Sequence, residues 1–293
     1  MYNKYLLTTS SNNQAIFYAI LSSLWISIML CAVRHVSAEY NSFAMVFWRS
    51  CFSLLFMLPW FLQKKSSILK TANIKLHLLR TIIGIISMTC WFYALGKLML
   101  PQAISLSFTA PIFTAIAAVI FLKERLGKKR SIAIIIGFIG TLVIIRPGFT
   151  TLNYALFIVL FSTSLWAIVA VIIKKLTYDD NHKTILFYMS LFSVPLSLPL
   201  AIIFWQDINL YYLLWFAFIG FTANLSHICL TKAISLANLT VILPFDFIRL
   251  VFTSILAYII FKDPTNIYDI IGATIIIGSN VYISYRENKV KDI

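Results

Sequence analysis

Apolar residues come in long blocks along this chain, and the polar stretches between them are short. Five segments, 5–33, 98–122, 147–173, 184–206 and 208–231, each run for more than 18 residues without a charge. Each is long enough to cross a bilayer as a helix. With the shorter apolar blocks added, the pattern predicts ten membrane helices over roughly 14–33, 42–62, 76–96, 101–121, 131–147, 152–173, 184–204, 211–232, 237–261 and 268–285. The fifth is short and ends at Arg146-Pro147-Gly148. There an arginine can reach the head groups while Pro-Gly stops the helix. The fold expected is all-α and integral to the membrane.

The pattern also repeats. From Phe108 the chain reads F-T-A-P-I-F-T-A-I-A-A-V-I-F-L-K-E, and from Phe247 it reads F-I-R-L-V-F-T-S-I-L-A-Y-I-I-F-K-D. At a constant offset of 139, seven of 17 positions are identical, where roughly two would coincide by chance in so apolar an alphabet. The offset holds upstream, where Ala94 meets Ala233, and shortens by four past the turn, where Gly137 meets Gly272. The expectation is a duplicated half, with one five-helix repeat in residues 1–147 and a second in 148–293.

Charge turns duplication into geometry. The N-terminus, the even-numbered loops and the C-terminus together hold 18 Lys and Arg. The odd-numbered loops hold four, Arg34, Lys97, Arg146 and Lys262, while Arg49 and Arg249 lie inside spans. Such a bias places both termini in the cytoplasm. Five helices per half is an odd number, so the second half enters the membrane upside down. The turn K-E-R-L-G-K-K-R after the first repeated string is strongly basic, and its counterpart K-D-P-T-N-I-Y-D is slightly acidic. Opposite charge at equivalent turns is what an inverted-topology repeat requires, and such repeats hold a substrate at their interface near mid-bilayer.

Composition agrees and excludes alternatives. Hydrophobic residues make up 60% of the chain and charged residues 12%, about half the charge of a soluble domain. No room remains for a soluble domain of even about 50 residues. The net charge of +14 would suggest nucleic acid in a soluble protein. Here the basic residues lie between apolar spans and serve topology and lipid head groups, so no nucleic-acid partner is expected. Cys31, Cys51, Cys90 and Cys229 all fall in spans with no C-x-x-C pair, so neither zinc nor a disulfide framework is indicated. The apolar segment after the polar first 13 residues is too long for a signal-peptide core. It is expected to stay as the first helix.

These residues resemble the EamA-type families of the drug/metabolite transporter superfamily over nearly the whole chain. The resemblance is carried by F-W-R-S around Arg49, A-L-G-K-L-M-L-P-Q-A at 94–103, S-F-T-A-P-I-F-T-A at 107–115, F-L-K-E-R at 121–125, G-F-I-G-T-L-V-I-I-R-P at 137–147 and L-P-F-D-F-I-R-L at 243–250. It implies a ten-helix carrier in a bacterial inner membrane, moving amino acids, related metabolites or drugs. One subgroup takes up S-adenosylmethionine, which stands as the alternative. The L-P-F-D-F-I-R-L string looks more like the generic branch.

Within the spans, charges mark function by default, because burying one near the bilayer centre costs about 2.5–3.5 kcal/mol. Asp246 and Arg249 are three apart and share a helix face. They either lock the ninth helix or line a cavity, holding a zwitterion or relaying a proton. Arg49 either reaches the outer interface or joins that cavity. His227 is a candidate proton carrier, and Asn224 and Thr109 are polar candidates on the eighth and fourth spans. Ser105, Ser107, Ser226 and Asn280 also lie in spans, where such groups commonly join helices. Trp25, Trp91 and Trp166 are interior aromatics. Trp25 and Trp166 share the string S-L-W and are candidate facing walls able to stack on a planar or cationic substrate. Trp60, Trp205, Tyr211, Tyr212 and Trp215 read as interface anchors.

The expectation is a secondary carrier working by alternating access on a small-molecule substrate in the bilayer. A monomer suffices, and a homodimer is compatible. No G-x-x-x-x-G-K-[ST] loop is present, so ATP is not its direct energy source, and no cofactor is expected. The rival, an integral-membrane enzyme, lacks the expected signatures: the four histidines are isolated, and neither H-E-x-x-H nor G-x-S-x-G occurs.

Overall fold

The computed structural model describes residues 9–62, 71–110, 112–114, 116–117, 128–146, 153–176, 179–180, 182–236 and 247–291. All secondary structure among them is helical. The helices are α1 Thr9–Val36, α2 Ser42–Leu62, α3 Ile74–Leu95, α4 Leu100–Ser107, α5 Lys128–Ile145, α6 Tyr154–Leu176, α7 His182–Ile203, α8 Leu210–Leu236, α9 Ile248–Phe261 and α10 Ile267–Lys291. Six of them contain apolar windows long enough to cross a membrane, and Ser131–Ile145, Ile248–Phe261 and Ile267–Tyr282 are shorter apolar segments. Their outward faces are greasy: Ile135 is 60% exposed, Leu142 55% and Ile259 60%. A water-soluble protein does not leave such faces bare.

Asparagines start several of these helices. The Oδ1 atoms of Asn41, Asn153, Asn209 and Asn266 accept from the N–H groups of Ala44, Ala155, Tyr212 and Tyr268 at 2.9, 3.0, 3.0 and 3.1 Å. Each satisfies a donor that the first turn leaves over. Helix α4 begins instead with Pro101 in its first turn, and Asp263 Oδ2 accepts from the Leu100 N–H at 3.3 Å. Helix α9 ends on Lys262 in the left-handed region, φ 59°. Arg34 Nη1 donates to the carbonyls of Leu95 and Leu98, both at 2.5 Å, tying the end of α1 to the turn between α3 and α4.

The fourth predicted span is not continuous. Helix α4 stops at Ser107, Phe108 and Thr109 form a turn, and helical residues resume at Ala110. The cause is local. Pro111 carries no N–H for the Ser107 carbonyl, and the Ile112 N–H bonds to the Thr109 carbonyl at 2.9 Å. That leaves the Phe108 carbonyl over, and Asn280 Nδ2 from α10 donates to it at 2.7 Å. In the predicted ninth span, the described helix begins only at Ile248, after a turn residue at Phe247. Asp246 and Pro244 lie outside the described residues.

Helix α1 packs on α8, α3 on α6, α5 on α10, and α4 on α9, while α2 lies against α7 and α8. Serines join two of these pairs. Ser22 and Ser226 each donate a hydroxyl to the other's carbonyl, at 2.9 and 3.1 Å. Ser87 and Ser162 do the same at 2.9 and 2.7 Å. Helices α5 and α10 meet through glycine. A Cβ on Gly272 would lie 2.7 Å from the Gly140 carbonyl oxygen, and one on Gly140 would lie 2.9 Å from that of Gly272. Only hydrogen permits this approach, as at other small-residue helix contacts in lipid.

Candidate functional site

A cavity of about 390 Å³ opens where α1, α2, α3, α4, α6, α7, α8 and α9 converge. One wall is a stripe along α3: Arg80, Gly84, Ser87, Trp91. Their spacings of four, three and four put them on a single helix face. Ser162, Thr163 and Trp166 of α6 line it beside that stripe, with Met189 and Ser193 of α7. Helix α8 contributes Ala223 and His227, and α2 contributes Arg49. The rings of Phe108 and Phe247 meet edge-to-face at 5.0 Å and lie in the lining with Arg249.

Its charge is one-sided. Arg49, Arg80, Arg249 and His227 line it, and no Asp or Glu does among the described residues. Arg49 is 9% exposed and Arg80 6%. The Nε atoms of both find no hydrogen-bond partner among the described groups, and Arg49 Nη1 meets the soft sulfur of Met88 at 3.0 Å. Arg49, Arg80 and His227 all line this one space. Arg249 is held differently. Its guanidinium lies 5.3 Å over the Phe108 ring, and its Nη2 reaches Ser107 Oγ at 3.5 Å.

The structure thus gathers Arg49, Arg249, His227, Trp91 and Trp166 around one space. The other named residues sit elsewhere. Asn224 is engaged with α2: Ser53 Oγ donates to its Oδ1 at 2.7 Å, and its Nδ2 donates to the Ser53 carbonyl at 3.0 Å. Thr109 is buried, with Oγ1 donating to the Leu106 carbonyl at 2.7 Å. Neither Asn224, Thr109 nor Trp25 belongs to the lining. Asp246 lies outside the described residues. The loop count takes Arg80 with the second loop, although it falls within the predicted span 76–96. The structure places it six residues inside α3 and in the cavity. The four-three-four stripe ending at Trp91 was the signal that it faces inward.

Comparison with known proteins agrees with this architecture. The EamA-like transporter family matches residues 13–146 and again 153–285. The S-adenosylmethionine uptake transporter of Rickettsia felis is 30% identical over 256 residues, 87% of this chain and 87% of that protein. Its namesake in Rickettsia prowazekii is 29% identical over 94% of this chain and 93% of its own length. The riboflavin transporter of Vibrio cholerae is 30% identical over 75% of both chains. One crystal structure overlays with a TM-score of 0.62 at 14% identity, covering 96% of this chain and 99% of its own, which speaks to the fold alone. Neither the family nor these relatives supports an amino acid as the cargo. With two consecutive matches spanning nearly its whole length, this membrane protein belongs to the EamA-like transporter family.

Proposed function

We propose that the chain is a secondary carrier of a small organic solute, working by alternating access in a bacterial inner membrane with both termini cytoplasmic. Its two five-helix halves, 1–147 and 148–293, are inverted copies. The observation that carries this reading is the cavity, which α1–α4 line from one half and α6–α9 from the other. The pattern of contacts supports the pseudo-two-fold axis. Exchanging each helix for the one five places on turns α1 on α8 into α6 on α3, turns α2 on α8 into α7 on α3, and leaves α4 on α9 and α5 on α10 unchanged. The serine pairs follow suit: Ser22 and Ser162 are 140 residues apart, and Ser87 and Ser226 are 139 apart. Phe108 and Phe247, equivalent at the offset of 139, touch each other.

Among the compounds in the relatives' names, S-adenosylmethionine suits this cavity best. Its adenine can stack on Trp91 or Trp166, its sulfonium can sit against an aromatic face, and its carboxylate, though not its ammonium, suits the arginines. Riboflavin is the second reading, favoured by the same rings, but it brings no acidic group. Counterflow of each labelled compound into proteoliposomes of the purified chain tests this. Exchange of S-adenosylmethionine is expected; exchange of riboflavin alone would move the reading to the flavin, and exchange of neither would remove both cargoes. For coupling we propose Asp246, three residues before Arg249. Asp246→Asn is expected to abolish transport with folding intact, and normal transport by that variant would end the assignment.

A further inference from the structure

The cavity is lined by two buried guanidinium groups, and among the described residues it offers them no acid. Like charges gathered out of water repel each other and lack their hydration. Such an arrangement is tolerated where the balancing charge arrives from elsewhere. The contact between described basic and acidic residues, His77 to Asp180 at 2.9 Å, involves neither Arg49 nor Arg80.

Building on the carrier reading, we infer that Arg49 and Arg80 form an oxyanion clamp for the cargo, taking a carboxylate or phosphate oxygen group while Trp91 and Trp166 take its planar part. Three features support the pairing. Both arginines are more than nine-tenths buried yet line the open space, and the Nε atoms of both have no partner among the described groups. A guanidinium presents a planar fork of donors that matches the geometry of these acids, and the match tightens as water is excluded. Trp91 lies on the same face of α3 as Arg80, 11 residues on, or about 16 Å along the axis at 1.5 Å per residue. That separation fits a solute with a ring at one end and an acid at the other. Arg249 stands outside the clamp because Phe108 and Ser107 already hold its head.

The clamp makes the acid of the cargo, rather than its ring or its net charge, the group that is selected. Matched ligands on the unmodified full-length chain test this without relying on any variant. S-adenosylmethionine and its decarboxylated derivative differ only in the carboxylate; riboflavin 5′-phosphate and riboflavin differ only in the phosphate. Equilibrium binding to the chain in nanodiscs is expected to favour at least one acid-bearing member by about tenfold or more, the loss that goes with a missing charge-assisted contact. Which pair responds identifies the carboxylate or the phosphate as the native oxyanion. In Arg80→Gln and Arg49→Gln that preference is expected to shrink to within about threefold, and Arg80→Lys to keep part of it.

Equal binding within both pairs would overturn the clamp. So would a preference that survives in both glutamine variants. These failures are separable from failure of the carrier reading. Counterflow of riboflavin without acid selectivity leaves a carrier and no clamp. Acid-selective binding with no counterflow of any of the four compounds leaves a clamp and no carrier.

Discussion

Apolar surface does not drive helices together in lipid as it does in water, so polar side chains carry more of the joining. Here they are serines and asparagines. The Ser22–Ser226 and Ser87–Ser162 pairs satisfy both hydroxyls against the facing backbone, and between α2 and α8 the Ser53 hydroxyl donates to the Asn224 side chain, whose amide donates to the Ser53 carbonyl. Such bonds contribute on average about 0.6 kcal/mol each, and up to about 1.7. Asn280 is in a more exacting position, because the carbonyl it covers has lost its helical partner. Asn280→Leu is therefore expected to destabilise the protein by about 1–3 kcal/mol, the cost of an orphaned buried acceptor. Ser226→Ala is expected to cost less than that, since Ser22 keeps the Ser226 carbonyl as its acceptor. Thermal unfolding of both variants in detergent checks the order, and equal losses would contradict it.

The same scale explains what the sequence could reveal of the site. Arg49, Arg249 and His227 stand out because each interrupts an otherwise apolar run. Arg80 does not stand out, since it follows the basic stretch 64–75 closely enough to look like part of the flank. Which side of a helix a residue faces decides the matter, and hydropathy averages over faces. Asn224 and Thr109 drew notice for their polarity, but polarity alone does not separate a group that meets solute from one that meets a neighbouring helix.

At the scale of elements, two kinds of special backbone matter. The first is the interruption at Phe108–Thr109. It was written in Pro111, yet the apolar run across it conceals a break because the residues on both sides are equally greasy. The second is the α5–α10 contact. Gly272→Ala would drive a methyl group to within 2.7 Å of a backbone carbonyl that has no side-chain freedom to yield. It is expected to lower stability by about 1–3 kcal/mol, as overpacking does. At Gly278 a Cβ meets nothing within 4 Å. Gly278→Ala is expected to be neutral or to stabilise α10 by up to about 1 kcal/mol through helix propensity alone. Unfolding midpoints of the pair measured together check the contrast, and a Gly272→Ala variant as stable as Gly278→Ala would refute the close approach.

For the whole molecule, hydrophobic runs, repeat offset and loop charge predicted a helical membrane protein with internal duplication before any contact was known. What they could not reveal was which helices exchange partners, because partner choice depends on small side chains and hydroxyls that leave no mark on hydropathy. The proposed orientation has a direct check. In a chain whose native cysteines are replaced, a single cysteine at Glu39 or at Asp207 is expected to react with a membrane-impermeant reagent from the periplasmic side. One at Asn73 is expected to react only after the membrane is opened. Glu39 and Asp207 belong to one network, in which Gln206 Nε2 donates to the Glu39 carbonyl at 3.3 Å and Tyr40 OH to the Asp207 carbonyl at 3.1 Å. Labelling of these two from opposite sides would therefore defeat both the topology and the contact.

The ring contact between Phe108 and Phe247 has a mechanical consequence. It sits beside the interruption of the fourth span, and neither a charge nor a conventional hydrogen bond fastens one ring to the other. The edge-to-face geometry adds only about 0.5–1.5 kcal/mol beyond burial, so the rings can shift against each other at little more than thermal cost while both stay packed. That is the behaviour of a bearing rather than a weld: two surfaces that stay in touch while sliding. In the proposed carrier, low friction at this spot would let the halves rock without a large barrier, and its smoothness would become a determinant of speed. Roughening it with Phe247→Tyr, whose hydroxyl would seek a partner on each pass, is expected to slow turnover several-fold while leaving the half-saturating concentration of cargo nearly unchanged.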